Sequence, residues 1–374
     1  MEIDTVRKLR VGVIFGGRSG EHEISLLSAR SVLDVLDPLR YDVTQIGITQ
    51  AGTWVIGEDV LGSFEKKSIE HLKAATILPN PALQGVQILR KVKNGHLMKL
   101  LTDLDVVFPV LHGTFGEDGT LQGLLEMAEV AYVGAGVVGS AVGMDKGIFN
   151  GVMQANNIPI IETMVVLRNE LAENLKLIIS QAENMTAYPM FTKPANLGSS
   201  VGITKCRNQS DLLEGLVEAA RYDRRILIQR GVNGREIEVS VLGNDKPEAS
   251  IPGEVIPSRE FYSYEAKYVD GTSRLLIPAP IPDEISKRAQ QLAVRAFKAI
   301  DCQGMARVDF LLDRDNGELY LNELNTIPGF TSISMYPKLW EASGLPYSKL
   351  LDRLIELALE RKAENQKTER RYER

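Results

Sequence analysis

Short apolar runs alternate along the first third of the chain with intervals in which apolar residues recur every three or four positions. Three runs fit buried strands, at 11–15, 41–49 and 105–111. Two intervals fit helices, at 23–36 and 118–129. A glycine-rich turn, 16–20, joins the first strand to the first helix. Strands that alternate with helices usually form an open parallel sheet with ligands at the carboxyl ends of its strands. The pattern therefore predicts an α/β fold, while the stretch 51–101 gives no interpretable pattern.

The middle of the chain continues the alternation but contains a different glycine loop. The predicted elements are a helix over 135–156, a strand over 158–166, a helix over 174–185, and strands over 188–194 and 203–206. The loop 195–202 lies between the last two strands, whereas a Walker loop and a dinucleotide fingerprint both open a helix. A flap that covers ATP phosphates with backbone N–H groups fits this position better.

The third block predicts a hairpin over 305–325, with Asn316 and Gly317 in its turn. With 315–317 as the loop, the opposed pairs are Arg307 with Asn325, Asp309 with Glu323, and Arg314 with Glu318. The first two pairs form a polar row on otherwise apolar strands. Two carboxylates and an amide oxygen suit Mg²⁺ bound together with nucleotide phosphates, and the alternative is a structural ion pair between Arg307 and the acids.

Composition and charge exclude several kinds of protein. The chain has 374 residues, 44% hydrophobic and 25% charged, which indicates a globular protein of two or three domains. A formal net charge of −6 argues against a nucleic-acid or membrane-surface partner. Two cysteines, no apolar secretion signal and no run long enough to span a bilayer predict a cytosolic location. The charged segment 361–374 predicts a frayed tail.

Six separated motifs resemble, in order, those of the D-alanine–D-alanine ligases, a family with the ATP-grasp fold. They are FGGRSGEHEIS at 15–25, HG with GEDGTLQG at 112–113 and 116–123, MDK at 144–146, GSSVG at 198–202, FYSYEAKY at 261–268, and NELNT with PG at 322–326 and 328–329. Each motif alone is weak, but six in one order are specific. The resemblance implies an N-terminal α/β domain, 1–134, followed by two subdomains that clasp ATP, 135–229 and 230–374.

The resemblance also implies a nucleotide site. Its residues would be Lys146, Lys193, Gly198, Ser200, Val201, Gln229, Arg230, Val232, Glu236 and Lys267. Lys146 and Lys193 would contact the ATP phosphates, although a lone lysine is more often a surface residue. Gln229 and Arg230 stand where some relatives have an acid and a lysine, which leaves the adenine contacts open.

The remaining implied residues carry out the chemistry. The catalytic residues would be Glu23, Ser199, Tyr268 and Arg307, the substrate-binding residues His112, Gly329 and Ser334, and the metal ligands Asp309, Glu323 and Asn325. The metals would be two Mg²⁺ ions, for which Mn²⁺ can substitute. Glu23 would hold the first substrate's ammonium, although a first-turn carboxylate can equally cap its helix. Tyr268, bonded to Ser199 and Glu23, would fasten a lid over 263–273.

The implied function is ATP-dependent ligation of two D-alanine molecules through D-alanyl phosphate for peptidoglycan precursors, by a cytosolic homodimer. The rivals are a D-lactate or D-serine ligase, which Tyr268 disfavours, another ATP-grasp ligase, and a non-catalytic nucleotide sensor. A sensor would be expected to lack Arg307 or a metal ligand, and none is missing. An oxidoreductase would need an acidic residue near Thr49, and a serine hydrolase would need a nucleophile elbow.

Overall fold

A computed structural model describes residues 7–199, 201–257, 274–331 and 333–369, whose strands form three sheets. The strands are β1 (Leu9–Gly16), β2 (Tyr41–Ile48), β3 (Trp54–Ile56), β4 (Lys73–Ile77), β5 (Val86–Val92), β6 (Gly95–Thr102), β7 (Val106–Val110), β8 (Ala131–Tyr132), β9 (Thr163–Leu167), β10 (Met190–Pro194), β11 (Thr204–Cys206), β12 (Arg225–Arg230), β13 (Gly234–Gly243), β14 (Glu248–Ala249), β15 (Gly253–Ile256), β16 (Arg274–Leu276), β17 (Gly304–Asp313) and β18 (Leu319–Asn325).

Helices pack on the faces of these sheets. They are α1 (His22–Val35), α2 (Val60–Glu65), α3 (Thr120–Met127), α4 (Val137–Met144), α5 (Lys146–Ala155), α6 (Arg168–Met185), α7 (Gln209–Tyr222), α8 (Asp283–Ala299), α9 (Met335–Ala342) and α10 (Tyr347–Asn365). Within the described ranges, none of these helices combines the length and the apolar character that crossing a membrane requires.

The first sheet has the order β6-β5-β4-β3-β2-β1-β7-β8 and confirms the predicted α/β fold. Strands β2, β1, β7 and β8 pair in parallel. The uninterpreted stretch 51–101 adds β3 to β6, which pair antiparallel, so the sheet is mixed. The carboxyl ends of the parallel strands still meet at one edge, and the glycine-rich turn 16–20 lies there.

The second sheet, β11-β10-β12-β9, is antiparallel, and so is the third, β16-β15-β13-β17-β18. The single helix predicted over 135–156 is wrong, because the chain breaks into α4 and α5 at Asp145. This residue has extended backbone angles, and its carboxylate accepts hydrogen bonds from the N–H groups of Gly147 and Ile148 at 3.0 and 2.9 Å. Asp145 therefore caps the helix that begins with Lys146.

Two helices pack away from their neighbours in sequence. Phe149 and Met153 of α5 are buried in the core of the third sheet, although α5 precedes the second. Helix α10 returns to the first sheet, where Leu350 and Leu354 pack in its core. The three sheets occupy separate parts of the sequence, but the division at 134/135 and 229/230 stays a prediction.

The end of α10 is anchored, so the tail predicted to fray from residue 361 is wrong up to Asn365. The guanidinium of Arg361 donates hydrogen bonds to the carbonyl oxygens of Gly134 and, at 2.7 Å, Tyr132. It also lies 4.2 Å from the centre of the Tyr132 ring, a cation–π distance. The side chain is only 5% exposed, so the last turns of α10 are tied to the end of β8.

Candidate active site

The hairpin of β17 and β18 places the predicted polar row as expected. Arg307 lies opposite Asn325, and Asp309 lies opposite Glu323. The register then shifts by one residue, because Phe310 pairs with Leu321 and leaves Asn322 as the extra residue of a β-bulge.

The bulge changes the far end of the hairpin. The predicted pair of Arg314 with Glu318 is wrong, since the N–H of Asp313 donates to the carbonyl of Glu318 at 2.9 Å. The one-residue shift therefore lengthens the loop beyond the predicted 315–317. It leaves the polar row at the other end unchanged.

Arg307 sits between two carboxylates. Its Nε and Nη2 donate to Asp309 at 2.8 and 2.7 Å, and its Nε lies 3.0 Å from a carboxylate oxygen of Glu238 on β13. The amide of Asn325 donates to Asp309 at 2.9 Å. The ion pair and the predicted metal ligands therefore share one face, so the two interpretations are not exclusive.

The donor set of this face suits a metal that also binds phosphate. No group of three His, Cys, Asp or Glu side chains in the described ranges could hold a metal alone. Asp309, Glu323 and Asn325 instead offer two carboxylates and an amide, which is what Mg²⁺ accepts when phosphates and water complete its shell. Arg307 and Lys146, whose Nζ lies 3.5 Å from Glu323, balance the charge of these carboxylates.

The glycine loop reaches the first sheet at Glu21, not at Glu23. The hydroxyl of Ser199 donates a hydrogen bond to the carboxylate of Glu21, and a Cβ placed on Gly198 would lie 3.0 Å from the same carboxylate. Glu23 is exposed in the first turn of α1. The predicted contact between Glu23 and Ser199 is therefore wrong, because the residue just before the helix faces the loop while the first-turn residue faces solvent.

Several predicted residues line one narrow cleft. These are Lys146, Gly198, Ser199, Glu323 and Asn325, together with Glu21 and Glu117. The Lys146 ammonium donates to the carbonyl of Leu197 at 3.0 Å, so the helix start and the glycine loop are joined directly. The structure thus brings the loop, the hairpin and the first helix to one place.

A larger cavity of about 480 Å³ lies between the second and third sheets. It is lined by five predicted nucleotide-binding residues, Lys193, Gln229, Arg230, Val232 and Glu236. Burial and the nearby Lys146 ammonium lower the pKa of Lys193 to about 8. Phosphate in this cavity would raise that pKa again, because a nearby negative charge favours the charged form.

Gln229 and Arg230, which line this cavity, are held by neighbouring side chains. Gln229 donates to the Thr163 hydroxyl at 3.0 Å. Arg230 donates to Glu162 at 2.5 Å and lies 5.1 Å from the Tyr320 ring centre. Val201 is 39% exposed on the glycine loop.

The predicted substrate-binding residues lie on two connected segments. The buried imidazole of His112 is 3.0 Å from the Ser28 hydroxyl through Nε2 and 3.0 Å from the carbonyl of Ile327 through Nδ1, and burial lowers its pKa. The Ser334 hydroxyl is 2.8 Å from that of Thr331. A Cβ on Gly329 would lie 2.8 Å from the Ser334 oxygen, so glycine permits this close approach. Ser200, Lys267, Tyr268 and the whole lid predicted over 263–273 lie outside the described residues.

Sequence reasoning missed three acids of this region. Glu21 and Glu117 belong to motifs that were recognised, but other residues of those motifs were selected. Glu117 accepts hydrogen bonds from the N–H groups of Gly113 and Ile327 at 2.6 and 3.2 Å. Glu238 gave no local signal, because its partner Arg307 lies on another strand and only the register of the sheet brings them together.

Glu117 leads to a prediction about stability and pH. Burial and the Glu21 carboxylate raise its pKa to about 8. A carboxyl group whose pKa is higher in the folded than in the unfolded protein stabilises the fold when it is protonated. This stabilisation is complete below the pKa of the unfolded state, about 4.3, and is lost as the pH rises to the pKa of the folded state. Glu117→Gln should therefore flatten the fall in the free energy of unfolding between about pH 5 and pH 8. Urea denaturation across this pH range measures the free energy of unfolding, and Glu58→Gln, at an exposed position, is the control. An equal fall of this free energy with pH in wild type and in Glu117→Gln would contradict the raised pKa of Glu117.

Two sheets that enclose a lysine-bearing cavity, a glycine flap and a carboxylate hairpin define an ATP-grasp enzyme. The family models for the N-terminus and the C-terminus of D-ala D-ala ligase match residues 10–135 and 152–356. The chain belongs to the D-alanine–D-alanine ligase family, and it is an ATP-dependent, ADP-forming ligase.

Individual relatives agree with this assignment. A D-alanine–D-alanine ligase of Heliobacterium modesticaldum is 49% identical over 360 residues, 96% of this chain and 97% of that one. The structure of the D-alanine–D-alanine ligase from Coxiella burnetii is 37% identical, covers 97% of both chains and has a TM-score of 0.82. The VanG D-Ala:D-Ser ligase of Enterococcus faecalis is 34% identical, covers 94% of this chain and 100% of that one, and has a TM-score of 0.83. Fold alone therefore does not distinguish acceptors.

Proposed function

We propose that the cleft between the glycine loop and the hairpin is the catalytic centre of this ligase, which uses ATP to join two D-alanine molecules into D-alanyl-D-alanine for peptidoglycan precursors. The hydrogen bond from Ser199 to Glu21 carries the proposal, because it joins the glycine loop to the first sheet in the cleft that Glu323 of the hairpin also lines. The larger cavity then receives ATP, and the narrow cleft receives the amino acids.

The first step transfers a phosphoryl group. The carboxylate of the first D-alanine attacks the γ-phosphate of ATP, the bond to the β-phosphate oxygen breaks, and D-alanyl phosphate and ADP result. Lys146 and Lys193, in the middle of the chain, hold the phosphates as point charges. Arg307 stabilises the negative charge on the transferring group, and its place between Asp309 and Glu238 fixes its orientation.

The second step forms the peptide bond. The amine of the second D-alanine attacks the acyl carbon, the phosphate leaves, and the amine loses a proton. Ser334 holds the carboxylate of this substrate, and backbone N–H groups near Gly329 together with Arg307 stabilise the tetrahedral oxyanion. His112, fixed between Ser28 and Ile327, shapes the side of the cleft that receives the first D-alanine.

The hairpin ligands complete the site. Asp309, Glu323 and Asn325 would hold two Mg²⁺ ions, or Mn²⁺ in their place. Bound metal would supply positive charge to the phosphate oxygens. Two carboxylates would be enough for metal binding, because the phosphates contribute the remaining oxygen ligands.

Glu21 takes the role that the sequence suggested for Glu23, since it is the carboxylate that faces the cleft. Glu21→Gln should raise KM for D-alanine and lower kcat by at least about tenfold, because a charged hydrogen bond to the substrate ammonium is lost. Glu23→Gln is the matched control and should change both by less than about twofold, as expected of an exposed side chain. The measurement is the steady-state rate of ADP release against D-alanine concentration. A larger effect in Glu23→Gln would reverse the assignment.

The choice of the second substrate is tested by the product. ADP release is measured with D-alanine alone and with D-alanine plus D-serine, D-lactate or L-alanine, and each product is identified by mass. The proposal expects the D-alanine dipeptide to dominate the mixed reactions. A D-alanyl-D-serine product as the main species would instead match the acceptor of the VanG ligase, and a D-alanyl-D-lactate product would assign D-lactate as the acceptor. The cytosolic location and the homodimer expected from the sequence remain proposals.

A further inference from the structure

A second concave site lies beside the catalytic cleft, at the carboxyl ends of β1, β2 and β7. It has a volume of about 320 Å³, which is the size of a small-molecule pocket. Its apolar walls are Ile48, Trp54, Leu111, Phe115, Leu121 and Leu124. Among the described residues, those assigned to ATP and metal and also Glu21 do not line it, whereas His112 does.

One permanent charge lies on this pocket among the residues that line it. Arg18 is that charge, and no acidic side chain accompanies it among the described residues of the wall. Its guanidinium lies 6.0 Å from the centre of the Phe115 ring. His112 also lines the pocket, but its imidazole is hydrogen-bonded to Ser28 and Ile327, and burial lowers its pKa, which disfavours a second cation there.

Phe115 is a further unusual feature of the rim. It has a φ of +66°, in the left-handed region, and its side chain is 44% exposed. The backbone N–H of Phe115 donates to Asp118 at 2.9 Å, which holds this conformation. A large aromatic residue held at positive φ is uncommon, and such residues concentrate at binding sites.

The known substrates do not suit this pocket. D-alanine is a small zwitterion that would leave most of the apolar wall uncovered and its ammonium beside Arg18. ATP carries several charges where the wall offers one cation. A ligand that satisfies both the wall and Arg18 has a compact apolar body and one negative charge.

We propose that this pocket is a second binding site, which takes a compact apolar carboxylate. The carboxylate pairs with Arg18, and the apolar body packs between Trp54, Phe115 and Leu124. The segment 111–117 forms part of the pocket wall, His112 included, and it also carries Glu117, which lines the catalytic cleft. Occupation therefore restrains the segment that helps to form the D-alanine site. The effect on the D-alanine site rests on the proposed function, whereas binding in the pocket does not depend on the roles of the catalytic residues.

The protein contains its own reporter for the test. It has two tryptophans, Trp54 in the pocket wall and Trp340, which is 6% exposed in the core shared with α10. The full chain is titrated with 4-phenylbutanoate and, separately, with the uncharged 4-phenylbutanamide, while tryptophan emission and heat are recorded. The proposal expects saturable binding of the carboxylate, an emission change that is retained in Trp340→Phe and lost in Trp54→Phe, and weaker binding of the amide.

Variants test the two parts of the pocket. Arg18→Gln should weaken 4-phenylbutanoate binding about tenfold, because a charge-assisted contact is lost, while Arg18→Lys retains the cation and most of the affinity. Leu124→Phe fills the cavity and should abolish binding. Arg90→Gln, a cation on β5 outside the pocket, is the control and should bind like wild type.

Three results would overturn the proposal. The first is equal affinity for the amide and the carboxylate, which would remove the role of Arg18. The second is competitive displacement of 4-phenylbutanoate by ATP or D-alanine with Leu124→Phe unaffected, which would put the probe in the catalytic cleft. The third is an absence of saturable binding in wild type and in Arg18→Lys when circular dichroism shows both to be folded.

Discussion

Replacement of Arg307 by methionine is expected to lower kcat about 100-fold or more, with a smaller effect on ATP affinity. Methionine keeps much of the apolar stem but removes a cation that acts mainly on charge formed in the transition state. The variant also leaves Asp309 and the buried Glu238 without this partner, so the free energy of unfolding should fall by about 3 to 5 kcal/mol. Rapid-quench measurement of ADP formation and direct ATP titration separate the two kinetic effects.

The Arg307 experiment has two controls. Arg307→Lys retains a positive charge but loses the planar fork, so its fold should survive better while kcat stays low. Arg288→Met removes an exposed arginine of α8 that pairs with Glu318, and its kcat should match wild type. An Arg307→Met protein with weak ATP binding and normal kcat would assign the residue to ground-state binding.

The second large effect is expected at Glu323, where Glu323→Gln keeps the side-chain shape and removes the charge. Turnover should collapse at limiting Mg²⁺, and the Mg²⁺ concentration for half-maximal rate should rise at least about tenfold, because a carboxylate ligand becomes a neutral amide. Lys146, whose Nζ lies 3.5 Å from Glu323, also loses the charged partner of its ion pair. Because Lys146 is assigned to the ATP phosphates, ATP affinity should also be measured. Rates across a Mg²⁺ titration give the midpoint directly.

A matched control lies at the other end of the same hairpin. Glu318→Gln changes an exposed glutamate that pairs with Arg288, so both the melting temperature and the Mg²⁺ midpoint should stay near those of wild type. If Glu323→Gln kept the wild-type rate at limiting Mg²⁺, the metal ligands would have to lie elsewhere.

The elements that periodicity predicted correctly are those with one consistent environment along their length. The strand at 11–15 is completely buried, so its apolar run is unbroken. Strand β6 gave no such pattern because seven of its eight residues are exposed, apolar ones included. Its partner β5 is exposed over its last three residues, and the mixed character of the first sheet did not follow from the sequence.

The candidate site divides in the same way. Pairing across the hairpin placed Arg307 and Asp309 opposite Asn325 and Glu323, because that register depends on local alternation. The bulge at Asn322 was not foreseen, since one extra residue leaves no mark on the apolar pattern. The choice between Glu21 and Glu23 depended on which side chain faces the glycine loop, and that loop is distant in sequence.

Helix α10 makes the order of synthesis important. It covers a sheet whose last strand ends at Tyr132, yet the helix begins about 200 residues later. At a typical elongation rate of 5 to 20 residues per second, roughly 10 to 40 s pass between these points. Throughout that interval the nascent first sheet displays apolar surface that the final helix later helps to bury. Chaperone occupancy of ribosome-bound chains should therefore persist until α10 emerges, and a stop codon just before Tyr347 should leave the beginning of the protein, rather than its end, as the part that is degraded.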